Sequence, residues 1–261
     1  MMRIAVIGPG AMGSIYGGRL SLHNEVLLVG RNQAQADRIN AQGLLIDEGS
    51  VTNCYRPKAL TDTANEPPVE LAVLFVKSMA SRSVLEAHRG LIGPETYLLT
   101  LQNGAGHEEL LKEFVSEDRV IIGTTEDNGA TLALGHVRRG GEGRTNVGML
   151  VPDSRGFLPR LKTAFDACGF QVLIHEAVTV AKAAGLEFDE EAVAEKVRKN
   201  SLANPQGCTS IRADLRDGRK TEVDTISGTV VRAAEKYGVP TPSHQFIVRM
   251  VHAMEGKNTV Q

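Results

Sequence analysis

The sequence predicts an α/β protein in which a mostly parallel sheet with crossing helices is followed by a helical region. The first thirty residues give an apolar run, a glycine-rich turn, a helix pattern and a second apolar run, which is the order of a βαβ unit. Further short apolar runs, separated by helix patterns, recur up to about residue 175. Beyond that point only helix patterns are found.

Length and charge limit the class of protein. The 261 residues are enough for one large domain or two small ones. A net charge of −2 gives no basic surface for nucleic acid or an anionic membrane, and no apolar run is as long as a membrane span. Because the first strand begins almost at residue 1, we expect no signal or transit peptide. These features favour a cytoplasmic protein without a nucleic-acid or membrane partner.

Cysteines and histidines show no metal-site pattern. Cys54, Cys168 and Cys208 are far apart and odd in number, which is typical of reduced cytoplasmic thiols. The seven histidines have no ligand spacing, and His244 and His252 are interpreted as ordinary polar residues of a helix. We therefore expect no metal.

The first βαβ unit carries a G-x-G-x-x-G motif. The strand Ile4–Ile7 leads into GPGAMG, and a helix is predicted over about Ala11–Leu20. In this motif Gly8 makes the tight turn, Gly10 lets the backbone approach a pyrophosphate, and Gly13 lets the helix pack close to the strand. The helix N-terminus directs its N–H groups at the phosphates. The unit predicts a Rossmann dinucleotide site; the alternative is a glycine-rich turn in another kind of α/β protein.

The end of the second strand, Val26–Val29, indicates which dinucleotide binds. An Asp or Glu there would hydrogen-bond the ribose 2′-hydroxyl of NAD, but this chain has Gly30-Arg31-Asn32. A guanidinium suits a 2′-phosphate, so Arg31 favours NADP. The alternative is an exposed arginine in a loop.

Two further strand ends carry polar residues. The apolar run at 70–76 ends at Lys77, and the strand at 96–101 is followed shortly by Asn103. Ligands of parallel sheets bind outside the carboxyl ends of the strands, so both side chains are placed to reach the site. The alternatives are a solvated lysine at a helix start and an Asn-Gly turn.

The remaining elements of the first domain follow from periodicity. Helices are predicted from residue 32 to about 42, near 80–90, and over 107–115 and 157–167. Residues 44–60 are predicted to be extended, 120–125 a strand, 129–149 antiparallel strands added to the sheet, and 171–174 the last strand. The first domain therefore ends near His175.

Four helices are predicted after residue 175, at 177–184, 190–199 and 221–237, with the last from Ser243. The third has an apolar stripe that includes Val223 and Ile226. Glu222 borders this stripe, so we expect its carboxylate to be partly desolvated. The alternative is a first-turn glutamate favoured by the helix dipole.

Taken together, these segments resemble the ketopantoate reductase (2-dehydropantoate 2-reductase) family. The shared features are GPGAMG, Arg31, LFVKS with Lys77, LQNG with Asn103, the block TSIRAD followed by GRKTEVD, and GVPTP. The resemblance runs nearly end to end. It implies a Rossmann domain over 1–175 and a helical substrate and dimerisation domain over 176–261. It also implies hydride transfer from NADPH to ketopantoate, which gives pantoate for pantothenate synthesis.

The resemblance also implies roles for individual residues. The dinucleotide would be held by the turn and the two basic residues, namely Gly8, Pro9, Gly10, Ala11, Met12, Gly13, Arg31 and Lys77. Asn103 would lie between cofactor and substrate, and Ser210 would bind the substrate. Glu222 would lie near the nicotinamide end of the site, where it and Asn103 would contribute to catalysis.

The sequence departs from the family after His175. There the family has a long helix with a W-x-K-x-x-x-N-x-x-x-N pattern, whose lysine is the proposed general acid. Here the chain runs directly into residues 176–185, which resemble a later family helix, and it contains no Trp. An alkoxide forming from a ketone needs a proton donor. Lys182 is the candidate substitute, although it occupies a position that is variable in the family and typical of a surface residue. The alternative is Lys77, which the resemblance assigns to the cofactor.

The apparent deletion has two consequences. The remaining helices would expose core residues, so we expect a homo-oligomer through the shortened domain, or its collapse onto the first domain. Three functions also stay open: a ketopantoate reductase, an NADP-binding protein with little or no catalysis, and a reductase of another small 2-keto acid.

Overall fold

The computed structural model describes residues 1–104, 106–174, 209–237 and 242–258. Its internal contacts divide the chain into two compact units, Met1–Gln102 with His107–Thr179, and Asn103–Gly106 with Val180–Gln261. The predicted division at 175/176 and the predicted helices at 177–184 and 190–199 lie outside the described residues and stay predictions.

Within its described residues, the first unit has twelve strands and five α-helices. The strands are β1 Arg3–Ile7, β2 Glu25–Val29, β3 Leu44–Glu48, β4 Val51–Tyr55, β5 Lys58–Leu60, β6 Leu71–Leu74, β7 Tyr97–Thr100, β8 Val120–Thr125, β9 Asn128–Ala133, β10 His136–Gly141, β11 Arg144–Met149 and β12 Gln171–Ile174. The helices are α1 Ala11–Leu20, α2 Gln33–Gln42, α3 Ser81–Ala87, α4 His107–Leu111 and α5 Phe157–Asp166.

Eight strands form the main sheet, in the order β12-β11-β8-β7-β6-β1-β2-β5. The six strands from β8 to β5 along this order are parallel, and β11 runs antiparallel to β8. From β1 the chain moves first to β2 on one side and later to β6 on the other. This reversal makes the gap between the carboxyl ends of β1 and β6 the switch point at which such sheets bind ligands.

The strands near the switch point are apolar because both faces of the sheet are covered. All residues of β6 and β7 are buried, as are those of β1 and β2 apart from the first residue of each. On one face, Tyr16 of α1 stacks on Phe170 with ring centroids 4.1 Å apart. The short apolar runs thus form a buried parallel sheet, as their composition predicts.

The prediction that residues 129–149 add antiparallel strands to the main sheet is correct only for β11. β9 and β10 instead belong to a second sheet of order β4-β3-β10-β9, in which β10 runs parallel to β3. The physical reason is burial. Every residue of β9 is exposed, so this strand suits the edge of a small sheet and not the covered parallel sheet.

In the second unit the structure describes three helices, α6 Ser210–Arg216, α7 Val223–Tyr237 and α8 Pro242–Asn258. The sequence analysis missed α6. Its N-cap is Thr209, whose hydroxyl oxygen accepts a hydrogen bond from the Arg212 N–H at 3.3 Å. In the described ranges, no helix is both long and apolar enough to cross a membrane.

Candidate functional site: a phosphate-binding turn and a buried glutamate

The glycine motif forms a tight turn between β1 and α1. Gly8 has a φ of 103°, its N–H donates to Val29 O at 2.9 Å, and the Gly10 N–H donates to Gly8 O at 2.8 Å. α1 starts directly after Gly10, which provides no side-chain cap. The first amides of the helix therefore have no partner within it, and they stand at the positive end of the helix dipole.

The three motif glycines are required for different reasons. A Cβ at Gly8 would lie 2.7 Å from the Val76 nitrogen, and one at Gly13 would overlap the Gly8 carbonyl oxygen. A Cβ at Gly10 would meet no atom within 4 Å. Gly8 and Gly13 are thus fixed by packing within the protein. The space beside Gly10 is open, and the turn there fits a pyrophosphate at the start of a helix.

Three residues that have no role in the sequence predictions, Ser14, Gly30 and Gln35, contact Pro9 within this turn. The Pro9 carbonyl accepts hydrogen bonds from Ser14 Oγ at 3.2 Å and from Gln35 Nε2 at 2.9 Å. A Cβ at Gly30 would overlap the Pro9 ring. Gln35 lies on α2 and Gly30 follows β2, so only the folded βαβ unit shows that they support the turn.

Arg31 is exposed and follows the end of β2. The next residue, Asn32, caps α2 by accepting a hydrogen bond from the Gln35 N–H at 3.0 Å. Arg31 forms no ion pair with any residue in the described part of the chain. A guanidinium at this strand end fits the place of a 2′-phosphate.

Lys77 lies just beyond β6. The Phe75 N–H donates to Ile7 O at 2.8 Å, which keeps this segment beside the end of β1. Lys77 is half-buried and precedes a short 3₁₀ turn. Gln102 holds the same region, because its Nε2 donates to Val76 O at 2.6 Å and to Ser81 Oγ at 2.8 Å. The sequence analysis assigned no role to Gln102.

The segment after β7 packs in the second unit. Asn103 is exposed, and Gly104 has a φ of 98°. A Cβ at Gly104 would lie 2.5 Å from the Thr225 carbonyl oxygen. The Thr225 N–H in turn donates to Glu222 O at 3.2 Å. The structure thus brings this segment to the first turn of α7, next to Glu222, which is only 6% exposed.

Ser210 is the other predicted substrate residue that the structure describes. Ser210 is the first residue of α6 and is exposed. Asp214, one turn later, is buried and pairs with Arg219 at 3.0 Å. Among the described residues no hydrogen bond joins the Ser210 side chain to Glu222. Lys182 lies outside the described residues.

No group of three or more His, Cys, Asp or Glu side chains in the described ranges could hold a metal ion. The sheet order, the switch point and the glycine turn define a Rossmann-type dinucleotide-binding protein. The family follows from sequence comparison. The family model "Ketopantoate reductase PanE/ApbA" matches residues 4–152, and its C-terminal counterpart matches residues 166–255. The chain belongs to the ketopantoate reductase PanE/ApbA family and is a dinucleotide-dependent oxidoreductase.

Relatives and solved structures agree with this assignment. The chain is 26% identical to the 2-dehydropantoate 2-reductase of Streptococcus pyogenes serotype M6, with all of both chains aligned. It is 28% identical to that of Halobacterium salinarum, covering 92% of this chain and 95% of the relative. A PanE/ApbA family ketopantoate reductase from Ralstonia eutropha JMP134 superposes with a TM-score of 0.85 at 23% identity, covering 99% of this chain and 100% of that one.

A ternary structure of D-mandelate dehydrogenase with NADH and anilino(oxo)acetate superposes with a TM-score of 0.89 at 24% identity, covering both chains fully. At this identity the likeness concerns the fold. Length is the notable difference from the relatives. The alignment with the streptococcal protein spans 308 positions, whereas this chain has 261 residues. Some tens of positions of that relative therefore have no counterpart here.

Proposed function

We propose that the protein is an NADPH-dependent reductase of a small 2-keto acid and that its substrate is 2-dehydropantoate, which it reduces to pantoate for pantothenate synthesis. The observation that carries the proposal is a family match over most of the chain together with an intact phosphate turn. Two features support NADPH as the cofactor. The open space beside Gly10 supports binding of a dinucleotide pyrophosphate, and an arginine in place of a carboxylate after β2 supports NADPH over NADH.

The proposal assigns a role to each part of the site. The turn from Gly8 to Gly13, Arg31 and Lys77 hold the dinucleotide, which supplies a hydride when bound. Asn103 and Ser210 bind the keto acid, and Asn103 and Glu222 contact the reacting end of the cofactor. Burial of Glu222 supports its assignment. Desolvation of a carboxylate lowers the stability of the protein, and buried titratable groups are often found at functional sites.

The reaction also requires a proton for the alkoxide that forms from the ketone. A positioned general acid contributes about a hundred- to ten-thousand-fold to such a step. The relatives are longer by some tens of residues, so the family's proton donor can be absent here. This supports a second candidate function, an NADP-binding protein with little or no catalysis. If the chain does turn over, Lys182 is the proposed replacement donor.

A third candidate, reduction of another 2-keto acid, is supported by the D-mandelate dehydrogenase structure, whose ligand anilino(oxo)acetate carries an aryl group. One assay separates the three functions. The purified protein is mixed with NADPH and either 2-dehydropantoate or phenylglyoxylate, and absorbance at the nicotinamide band is followed.

Each function predicts a different result in this assay. Rapid oxidation with 2-dehydropantoate is expected. Oxidation of NADPH with phenylglyoxylate alone would favour a reductase of another 2-keto acid. Tight binding of NADPH without oxidation would favour an NADP-binding protein with little or no catalysis. A Lys182→Met variant compared with Lys162→Met, a lysine on α5, then tests the proton donor.

A homo-oligomer through the helical part is a further component of the proposal. Along α8, four apolar side chains are exposed on adjoining positions of the helix, with Phe246 at 64%. They are Phe246, Ile247, Met250 and Met254. A second copy of the chain would bury this stripe. We expect a dimer or larger species in sedimentation velocity, and Met250→Glu should dissociate it. A wild-type monomer would contradict this part of the proposal.

A further inference from the structure

His252 of α8 lies between two carboxylates of the helical unit. Its Nε2 is 2.9 Å from Asp224 Oδ1 on α7, and its Nδ1 is 3.0 Å from Glu255 Oε2 on α8. A carboxylate oxygen accepts hydrogen bonds, so both ring nitrogens can be satisfied together only when the imidazole is protonated. The side chain therefore connects α7 to α8 by two charge-assisted hydrogen bonds.

The connection continues from Glu255 to the start of α7. The other carboxylate oxygen of Glu255, Oε1, accepts a hydrogen bond from the Thr221 N–H at 2.7 Å. The Thr221 hydroxyl oxygen accepts from the Val223 N–H at 3.3 Å. Thr221 and Val223 are 2% and 1% exposed. Glu255 thus satisfies a buried donor that would otherwise lack a partner.

Glu222 lies in the middle of this segment. Its carbonyl oxygen accepts hydrogen bonds from the Thr225 and Ile226 N–H groups at 3.2 and 3.1 Å. Its backbone is therefore fixed on one side by the first turn of α7 and on the other by the hydrogen bond from Thr221 to Glu255. The direction in which the Glu222 side chain projects depends on both.

We propose that His252 is a positioning residue for Glu222: it clamps α8 to α7 and so fixes the backbone from which the buried carboxylate projects. The inference rests on the proposed role of Glu222 at the site. His252 is itself 41% exposed at the side chain and is not a catalytic residue. It acts on the position of Glu222 through its hydrogen bond to Glu255, which in turn accepts the Thr221 N–H.

Charge around His252 gives the clamp a pH dependence. Hydrogen bonds to Glu255 and then to Asp224 raise the pKa of His252 above 6.5. Burial acts to raise the pKa of Glu255, but the Thr221 N–H and the His252 imidazole outweigh it and lower that pKa. The clamp is therefore complete below pH 6.5 and is lost as the pH rises through the raised pKa of His252.

Other charged groups lie on the helices that pack on α8. On α7, Arg232 Nη2 donates to the Asp224 carbonyl oxygen at 3.1 Å and to Thr229 Oγ1 at 2.9 Å. α6, which also packs on α8, carries Arg212, Asp214 and Arg216. Of these, Asp214 pairs with Arg219, and Arg216 pairs with Asp217. The charged groups that face the imidazole are Asp224 from α7 and Glu255 from α8.

The test compares His252→Ala and His252→Gln with the wild type and with Arg249→Ala, a control on the exposed surface of the same helix. The first readout is amide hydrogen exchange over 221–226. We expect amide exchange there to be about three- to tenfold faster in His252→Ala and unchanged in Arg249→Ala. This factor corresponds to the loss of a half-exposed, charge-assisted pair of hydrogen bonds.

The second readout is kinetic and would not respond to a merely structural role. His252→Ala should lower kcat/KM for the keto acid by a similar factor while the Kd for NADPH stays constant. In the wild type this parameter should fall as the pH rises above 6.5, and His252→Gln should remove that dependence. Unchanged exchange at 221–226, or faster exchange with unchanged kcat/KM and pH profile, would overturn the proposal.

The two readouts also separate this proposal from the proposed function. If the wild type does not oxidise NADPH with any keto acid, the proposed function has failed, and the clamp is decided by hydrogen exchange alone. If the wild type turns over and His252→Ala exchanges like Arg249→Ala, the clamp has failed and the proposed function stands.

Discussion

Replacing Gly13 and Gly10 by alanine tests the two kinds of glycine in the phosphate turn against each other. A Cβ at Gly13 would overlap the Gly8 carbonyl oxygen and lie 2.9 Å from its carbon. That carbonyl also accepts the Gly10 N–H at 2.8 Å. A backbone group cannot rotate away as a side chain can, so α1 must shift from β1 to admit the methyl group.

The magnitude follows from three terms. Alanine within a helix favours folding by about 1 kcal/mol over glycine. Overpacking costs about 1–3 kcal/mol, and loss of the turn's hydrogen bond costs about 1 kcal/mol or, with the buried groups left unpaired, up to about 3 kcal/mol. The three terms combine to about 1–5 kcal/mol, so we expect Gly13→Ala to lower the free energy of unfolding by about 3 kcal/mol, which corresponds to about 6–12 °C in Tm.

Gly10→Ala is the matched variant. The φ of −73° and ψ of −165° at Gly10 are open to alanine, and its Cβ would meet no protein atom. Stability should change by only about 0.5 kcal/mol, since alanine is a slightly poorer N-cap than glycine. The methyl group would instead fill the space beside the turn, so we expect the Kd for NADPH to rise at least about tenfold.

Thermal unfolding and calorimetric titration with NADPH measure both effects. We expect Gly13→Ala to lose mainly stability and Gly10→Ala to lose mainly affinity for NADPH. A Gly13→Ala protein with the wild-type Tm would refute the packing argument. Wild-type NADPH affinity in Gly10→Ala would refute the assignment of the open space to the pyrophosphate.

Three further outcomes are expected. Arg31→Ala should weaken NADPH binding about tenfold or more and leave NADH binding nearly unchanged, as titration of both would show. Arg139→Met should lower stability in urea by about 3–5 kcal/mol, because it leaves the fully buried Asp127 carboxylate without its partner at 2.7 Å. Burial lowers the pKa of His88. The contribution of the neutral His88 to the free energy of unfolding is therefore complete above pH 6.5 and is lost as the pH drops through the lowered pKa. His88→Gln should remove this loss of stability at acid pH in unfolding experiments from pH 5 to 8.

The conformation of the turn from Gly8 to Gly13 could be predicted from the sequence because its motif is contiguous. Gly10 and Gly13 act within one βαβ unit, and the bounds of α1 follow from the motif and the helix period. Gly8 also packs against Val76 beyond β6, a contact that the motif alone does not show. Ser14, Gly30 and Gln35 could not be assigned in the same way. The contacts of Gly30 and Gln35 with Pro9 exist only after β2 and α2 have folded against the turn, and the local hydrogen bond of Ser14 to Pro9 has no signature in the motif.

The second sheet could not be predicted for the same reason. Its central pairing joins β3 to β10, with Leu45 opposite His136, and no local pattern specifies a partner so far along the chain. The short helix α6 had one local signal, the capping residue Thr209. Its seven residues are too few to show a clear helical period, so the helix was not predicted. Burial of Glu222, in contrast, follows the apolar stripe that the sequence shows.

The central claim is that the turn from Gly8 to Gly13, with Arg31 beside it, binds the phosphorylated nicotinamide dinucleotide. Titration of the purified wild-type protein with NADPH and with NADH in a calorimeter tests this most directly. We predict saturable binding of NADPH at least about tenfold tighter than that of NADH. Absence of binding heat for both, confirmed by unchanged Tm at saturating concentrations of each, would contradict the claim.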